Sequence, residues 1–131
     1  SVNFLGKKTH SETLRYLRSA DICIVPSRWQ EPFGNIILDA MSSGALVIAA
    51  DIGGIPEIIQ DKKTGLLFDP ENTKELKEKI DWVRSHPLEK EKIVAKVCHS
   101  LKKYDPHEHG IRLESVLNMA ISRHAAGIHR P

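Results

Sequence analysis

The segment Glu31-Pro32-Phe33-Gly34-Asn35-Ile36-Ile37-Leu38-Asp39-Ala40-Met41-Ser42-Ser43-Gly44 sets one carboxylate on the tight approach to a helix and a second about one turn inside it. The first turn of any helix carries backbone N–H groups with no intrahelical acceptor and the positive end of the macrodipole, so it holds anionic oxygens without a dedicated side chain. Carboxylates flanking that turn accept hydrogen bonds from hydroxyl groups. The chemistry this pattern suits is the binding of a polyol that carries a phosphate. Gly34 fits it, because a side chain there would stand between the N–H groups and an incoming phosphate, although a plain turn glycine is the simpler alternative. Asp39 also reads in two ways. A wheel at 3.6 residues per turn puts Ile36, Ile37, Ala40 and Met41 on one side, Leu38 at its margin, and Asn35, Asp39, Ser42 and Ser43 on the other. Asp39 therefore leaves the core, either to reach a ligand held at the helix start or simply as a solvent-facing acid favoured by the dipole.

The elements that must position this segment are legible as short apolar runs alternating with helical patterns. Val2–Leu5, Ile22–Val25, Leu46–Ala50 and Leu66–Phe68 read as buried strands, and the alternation predicts a parallel sheet covered by helices. Between the first two, Thr9 and Glu12 form a Thr-x-x-Glu capping box ahead of an inward face at Leu14 and Leu17. Gly53-Gly54 precedes a short helix entered through Pro56, and Gly44 reads as a helix stop. After Pro70 only helices follow: one capped by Asn72 and ended at His86-Pro87, one through Val94, Val97, Leu101 and Tyr104, and one with Leu113, Val116, Leu117, Ala120 and Ile121. Residues 122–131 read as a tail. In an open parallel sheet, ligands bind outside the carboxyl ends of the strands. Pro26–Pro32 and Asp51–Gly54 both leave from that edge, so a cleft is expected between them.

Composition narrows the class further. The chain has 131 residues, 40% hydrophobic and 27% charged, with 19 basic against 17 acidic residues interspersed along it. That suits one soluble globular domain and argues against a dedicated nucleic-acid surface. Cys23 and Cys98 have no Cys or His at ligand spacing and read as reduced core thiols in a cytoplasmic setting, with no metal site. No apolar run approaches bilayer length, and the start Ser1–Gly6 lacks a secretory leader. Lys90, Lys92, Lys96, Lys102 and Lys103 share one late segment with an apolar stripe, which leaves peripheral contact with the inner face of a membrane open beside the plainer reading of a solvated lysine face.

The run from Val25 through Pro26-Ser27-Arg28-Trp29-Gln30-Glu31-Pro32-Phe33-Gly34 to Gly44, then Ala45 to Glu57, and on to Thr64-Gly65-Leu66-Leu67-Phe68, resembles the C-terminal, donor-binding domain of retaining GT-B glycosyltransferases of family four, the glycosyl transferases group 1. The resemblance extends from Val2 to about Ala120, and the reading it supports is a partial domain over residues 1–121, N-terminally incomplete. It implies an α/β fold, a Rossmann-like parallel sheet with flanking helices and a helical C-terminal end, forming part of one half of a GT-B enzyme. It implies that Glu31 contacts hydroxyls of the transferred sugar and is the catalytic candidate. It implies too that the backbone at Phe33, Gly34, Asn35 and Ile36 faces sugar and diphosphate, and that Asp39 holds the ribose. The family pattern has glutamate at both acidic positions; Asp39 is one methylene shorter than the second.

The same resemblance implies transfer from a nucleotide-diphosphate sugar without metal or other cofactor. The acceptor, whether glycan, lipid or small molecule, belongs to an N-terminal domain lying upstream, with the Arg and Lys that stabilise the leaving diphosphate. The isolated chain is accordingly expected to be inactive, with Arg28 as a substitute cation weighed against an ordinary surface arginine. A non-catalytic nucleotide-sugar binding module and a nucleotide-sugar epimerase are the alternatives. A glycosidase pair at Glu31 and Asp39 is disfavoured because the second carboxylate points along the helix instead of across one bond. His107-Glu108-His109 diverge on a helix and do not make a metal pair. Glu57 takes a structural role first.

Overall fold

The computed structural model describes residues 2–29 and 34–101, apart from the side chains at 98–100. Glu31, Phe33, the helix expected around Leu113–Ile121 and the tail lie outside the described residues. Ser1–His99 form one compact unit.

Three strands, β1 (Ile22–Val25), β2 (Leu46–Ala50) and β3 (Leu66–Phe68), pair in parallel in the order β1-β2-β3. Ile22 faces Leu46 and Val25 faces Ala49, while Ile48 faces Leu66 and Ala50 faces Phe68. Every residue of β2 is buried, as an unbroken apolar run in the middle of a covered parallel sheet must be. Leu46, Ile48 and Ala50 join Leu66, Phe68, Val83 and Ile93 in one cluster against α4 (Thr73–Ser85) and α5 (Pro87–Leu101). Ile37, Ala40 and Met41 of α2 (Asn35–Ser42) are buried apart from that cluster, where α2 packs on β1 and β2. The result is a sheet flanked by helices, as expected. The three strands fall where the apolar runs placed them.

The fourth expected strand, Val2–Leu5, does not form. Val2 and Phe4 are 82% and 97% exposed, and among the described residues no strand pairs with them. An apolar run becomes a strand only where a neighbour takes up its N–H and C=O groups.

Local chemistry explains the helix ends. The backbone N–H of Thr9 donates to Glu12 Oε2 at 2.9 Å and that of Glu12 to Thr9 Oγ1 at 3.3 Å, closing the capping box ahead of α1 (His10–Ser19). Hydrogen bonds from the Thr9 backbone and then from its hydroxyl hold the Glu12 carboxyl below the usual carboxylate range. Asn72 Oδ1 accepts from the N–H of Glu75 at 3.0 Å to start α4. Gly44 follows α2 at φ +86°, the left-handed conformation a helix stop requires. Gly53 at φ +59° precedes α3 (Ile55–Ile58), which has Pro56 in its first turn.

The late lysines are partly committed to neighbours. Lys90 hydrogen-bonds Asp21, whose carboxyl it holds below the usual range, and Lys92 pairs with Glu89 at 2.7 Å. Among the described residues no helix is long and apolar enough to cross a membrane. Cys23 is a half-buried free thiol, and burial pushes its pKa up.

Candidate functional site

Parallel strands send all their loops to one edge. After β1 come Pro26–Trp29, with Ser27 buried; after β2 comes Asp51-Ile52-Gly53-Gly54; after β3 come Asp69–Asn72. Two bonds stitch these loops together. The Asp51 N–H donates to the Phe68 carbonyl at 2.8 Å, and Arg28 reaches Glu71 at 2.9 Å with both side chains well exposed. Arg28 is thus engaged in a surface ion pair, which favours the ordinary-arginine reading over a substitute cation.

The start of α2 lies at this edge. Gly34 is its N-cap, buried, with no side-chain cap, and the N–H of Ile37 turns back to the Gly34 carbonyl at 2.8 Å. The N–H groups of Asn35 and Ile36 therefore have no acceptor within the helix, and they are the donors an anion would meet. Gly34 also has a packing reason that spacing alone did not reveal. A Cβ there would stand 2.7 Å from Ile37 Cδ1, and Ile37 is wholly buried.

One expectation for this helix needs correcting. Ile36 was placed with the inward set, but it is 37% exposed. The buried stripe is Ile37, Ala40 and Met41, and Ile36, about 100° round from Ile37 in the first turn, stays open to solvent. Its backbone remains where a ligand at the helix start would lie. Asp39 is half-buried in the second turn, with 27% of its side chain exposed, and Oδ2 stands 3.5 Å from Nδ1 of His10, at the start of α1. His10 was missed because a histidine in a capped first turn looks like any polar surface residue. Only the packing of α1 on α2 brings it to Asp39.

A cleft of about 410 Å³ beside β3 is lined by Asp51, Asp61, Asp69, Glu75 and Lys79 with Leu67, Phe68 and Pro70. Several carboxylates against one ammonium repel a diphosphate, so this cleft does not compete with the α2 start for an anion. Among the described residues no group of three or more His, Cys, Asp or Glu is arranged to hold a metal.

The sequence model of the family described as glycosyl transferases group 1 matches residues 1–104. The chain belongs to the glycosyl transferases group 1. Within the group it is 37% identical over 106 residues to the sulfoquinovosyl transferase SQD2 of Arabidopsis thaliana, an alignment covering 78% of this chain and 20% of that protein. It is 28% identical to the solved C-terminal domain of the group 1 family protein LpcC from Francisella tularensis, at a TM-score of 0.65 over 78% of this chain and 51% of that one. HepE of Anabaena, solved in complex with UDP-glucose, superposes at a TM-score of 0.81 with 24% identity, over 90% of this chain and 32% of that one, and supports the fold. The group 1 chain spans about a fifth of the length of curated relatives such as SQD2. Membership, and the Rossmann-like sheet with flanking helices, agree with what the motifs implied.

Proposed function

We propose that this chain is the donor-binding part of a glycosyltransferase that moves a sugar from a nucleotide-diphosphate sugar to an acceptor with retention of configuration. The observation that carries the reading is the open start of α2 at the carboxyl edge of the sheet, with Asp39 one turn further in. Family membership and a structural neighbour solved with UDP-glucose support it.

In this reading the diphosphate lies on the N–H groups around Phe33, Gly34, Asn35 and Ile36. These fixed donors stabilise the negative charge that grows as the sugar departs, and they cost no reorganisation at that moment. Glu31 accepts hydrogen bonds from hydroxyls of the transferred sugar and Asp39 from the ribose. No metal is required, because the helix start and cations from the rest of the enzyme carry the diphosphate charge. The acceptor belongs to the larger polypeptide, and the 131-residue chain alone does not turn over a donor. In this reading the setting is cytoplasmic.

Binding of nucleotide sugar and bare nucleotide to the full natural polypeptide tests the division of labour. Glu31→Gln weakens the nucleotide sugar more than the nucleotide, whereas Asp39→Asn weakens both. Equal losses for both ligands on Glu31→Gln refute the sugar contact.

A further inference from the structure

The pairing of His10 with Asp39 joins two helices that begin at the same edge. α1 leads into β1 through the short link Ala20-Asp21, so it runs back along the sheet and starts near the carboxyl ends of the strands, beside α2. The two side chains differ in depth. His10 is 70% exposed and Asp39 27%, so the carboxylate is the more covered of the two. At 3.5 Å, Nδ1 and Oδ2 stand within ion-pair range and beyond the length of a direct hydrogen bond, so a small rotation of either side chain would bring them into one. Among the described residues Oδ1 of Asp39 has no partner.

An aspartate in place of a glutamate sets the carboxylate back by one methylene. We propose that His10 is the positioning residue that makes Asp39 competent for a ribose: it engages Oδ2, turns Oδ1 toward the ligand edge, and so orients the acceptor for the nucleotide's diol. The inference rests on the reading of Asp39 as the ribose acceptor. A pair with one member on the surface contributes little to stability, so its value lies in orientation. The imidazole does not touch the reacting atoms.

The test measures affinities of the full natural polypeptide by calorimetry for UDP, GDP and ADP, and then compares the tightest of them with its 2′,3′-dideoxy analogue. His10→Ala weakens the ribonucleotide by about 3- to 10-fold, the worth of one hydrogen bond, and leaves the dideoxy analogue unchanged. That unchanged analogue also reports that the variant is folded. His10→Asn, whose amide keeps a donor near the Nδ1 position, restores affinity to within about twofold. In an Asp39→Asn background, His10→Ala has no further effect, as a residue acting through Asp39 must. Equal losses for both nucleotides, additivity with Asp39→Asn, or no loss at all overturn the role of His10. If Asp39→Asn fails to distinguish the ribonucleotide from its dideoxy analogue, or no nucleotide binds, the ribose reading falls and the inference with it. If Asp39→Asn distinguishes them and His10→Ala does not, only the inference falls.

Discussion

Gly34→Ala separates two reasons for a glycine at the α2 start. The backbone at Gly34 is at φ −79° and ψ 77°, on the negative-φ side that L-residues use, so no left-handed strain arises from the main chain. The obstacle is steric: the new Cβ meets Ile37 Cδ1 at 2.7 Å and Cγ1 at 3.2 Å. Ile37 is wholly buried, and a β-branched side chain in a helix has essentially one χ1 rotamer, so it yields only by pushing on its neighbours. Over-packing of this sort costs about 1–2 kcal/mol, and alanine is also a poorer N-cap than glycine. In a domain of this size that lowers the thermal midpoint by roughly 3–10 °C. Ile37→Val deletes the offending Cδ1 at a cost of about 1 kcal/mol on its own. The double variant Gly34→Ala, Ile37→Val is then more stable than the sum of the single losses, by a coupling on the order of 1 kcal/mol. Thermal unfolding of the four proteins, followed by circular dichroism, measures the cycle. An unchanged midpoint for Gly34→Ala, or strict additivity, refutes the packing argument. Loss of nucleotide binding that persists in the stable double variant assigns the glycine to ligand approach instead.

Gly65→Ala is more damaging, by about 2–3 kcal/mol in denaturant unfolding, because its Cβ meets the Val47 carbonyl oxygen at 2.9 Å and Ile59 Cγ2 at 3.0 Å, and backbone in the central strand does not move aside. Thr9→Ala removes the α1 cap and costs about 1 kcal/mol by the same measurement. Glu12 supplies a pH dependence: its folded pKa is lowered, so its contribution is present above the ordinary glutamate range and is lost as pH falls through the depressed value. Glu12→Gln therefore flattens the acid limb of a stability–pH curve below about pH 4.5 and leaves the neutral limb parallel to the parent. Arg28→Ala changes stability by less than about 1 kcal/mol and leaves nucleotide affinity unchanged, since its exposed partner is Glu71; a loss of affinity that grows at low salt would reassign it to the diphosphate.

What could be read from the sequence follows the range of the interactions involved. The strands β1, β2 and β3 and the caps at Thr9 and Asn72 are set by residues within a few positions of one another, and all appear where the pattern put them. Val2–Leu5 has the composition of a strand, but pairing is a long-range condition, and its apolar side chains instead lie exposed. Ile36 shows a related failure. A helical wheel has no knowledge of which neighbours cover each side, so it assigns an inward side to a residue that is left exposed. Gly34 was readable as a glycine needed for something, but its obstacle, Ile37 Cδ1, is set by packing, and the need for Gly65, which faces the Val47 carbonyl, shows only in the strand approach.

The same distinction governs the site. The open N–H groups of α2 follow from the position of Gly34 in the chain, and Asp39 follows from counting turns. Whether that carboxylate is a solvent-facing acid or a ligand group could not be decided by counting. Its partial burial and its neighbour at the head of α1 bear on the question: a merely dipole-favoured acid needs neither a covered side chain nor a partner from another helix. In the proposed reading, a carboxylate one methylene short, partly covered and 3.5 Å from an imidazole of the adjacent helix start, accepts one hydroxyl in one direction. A specificity-setting contact requires that arrangement, and a free surface aspartate would lack it.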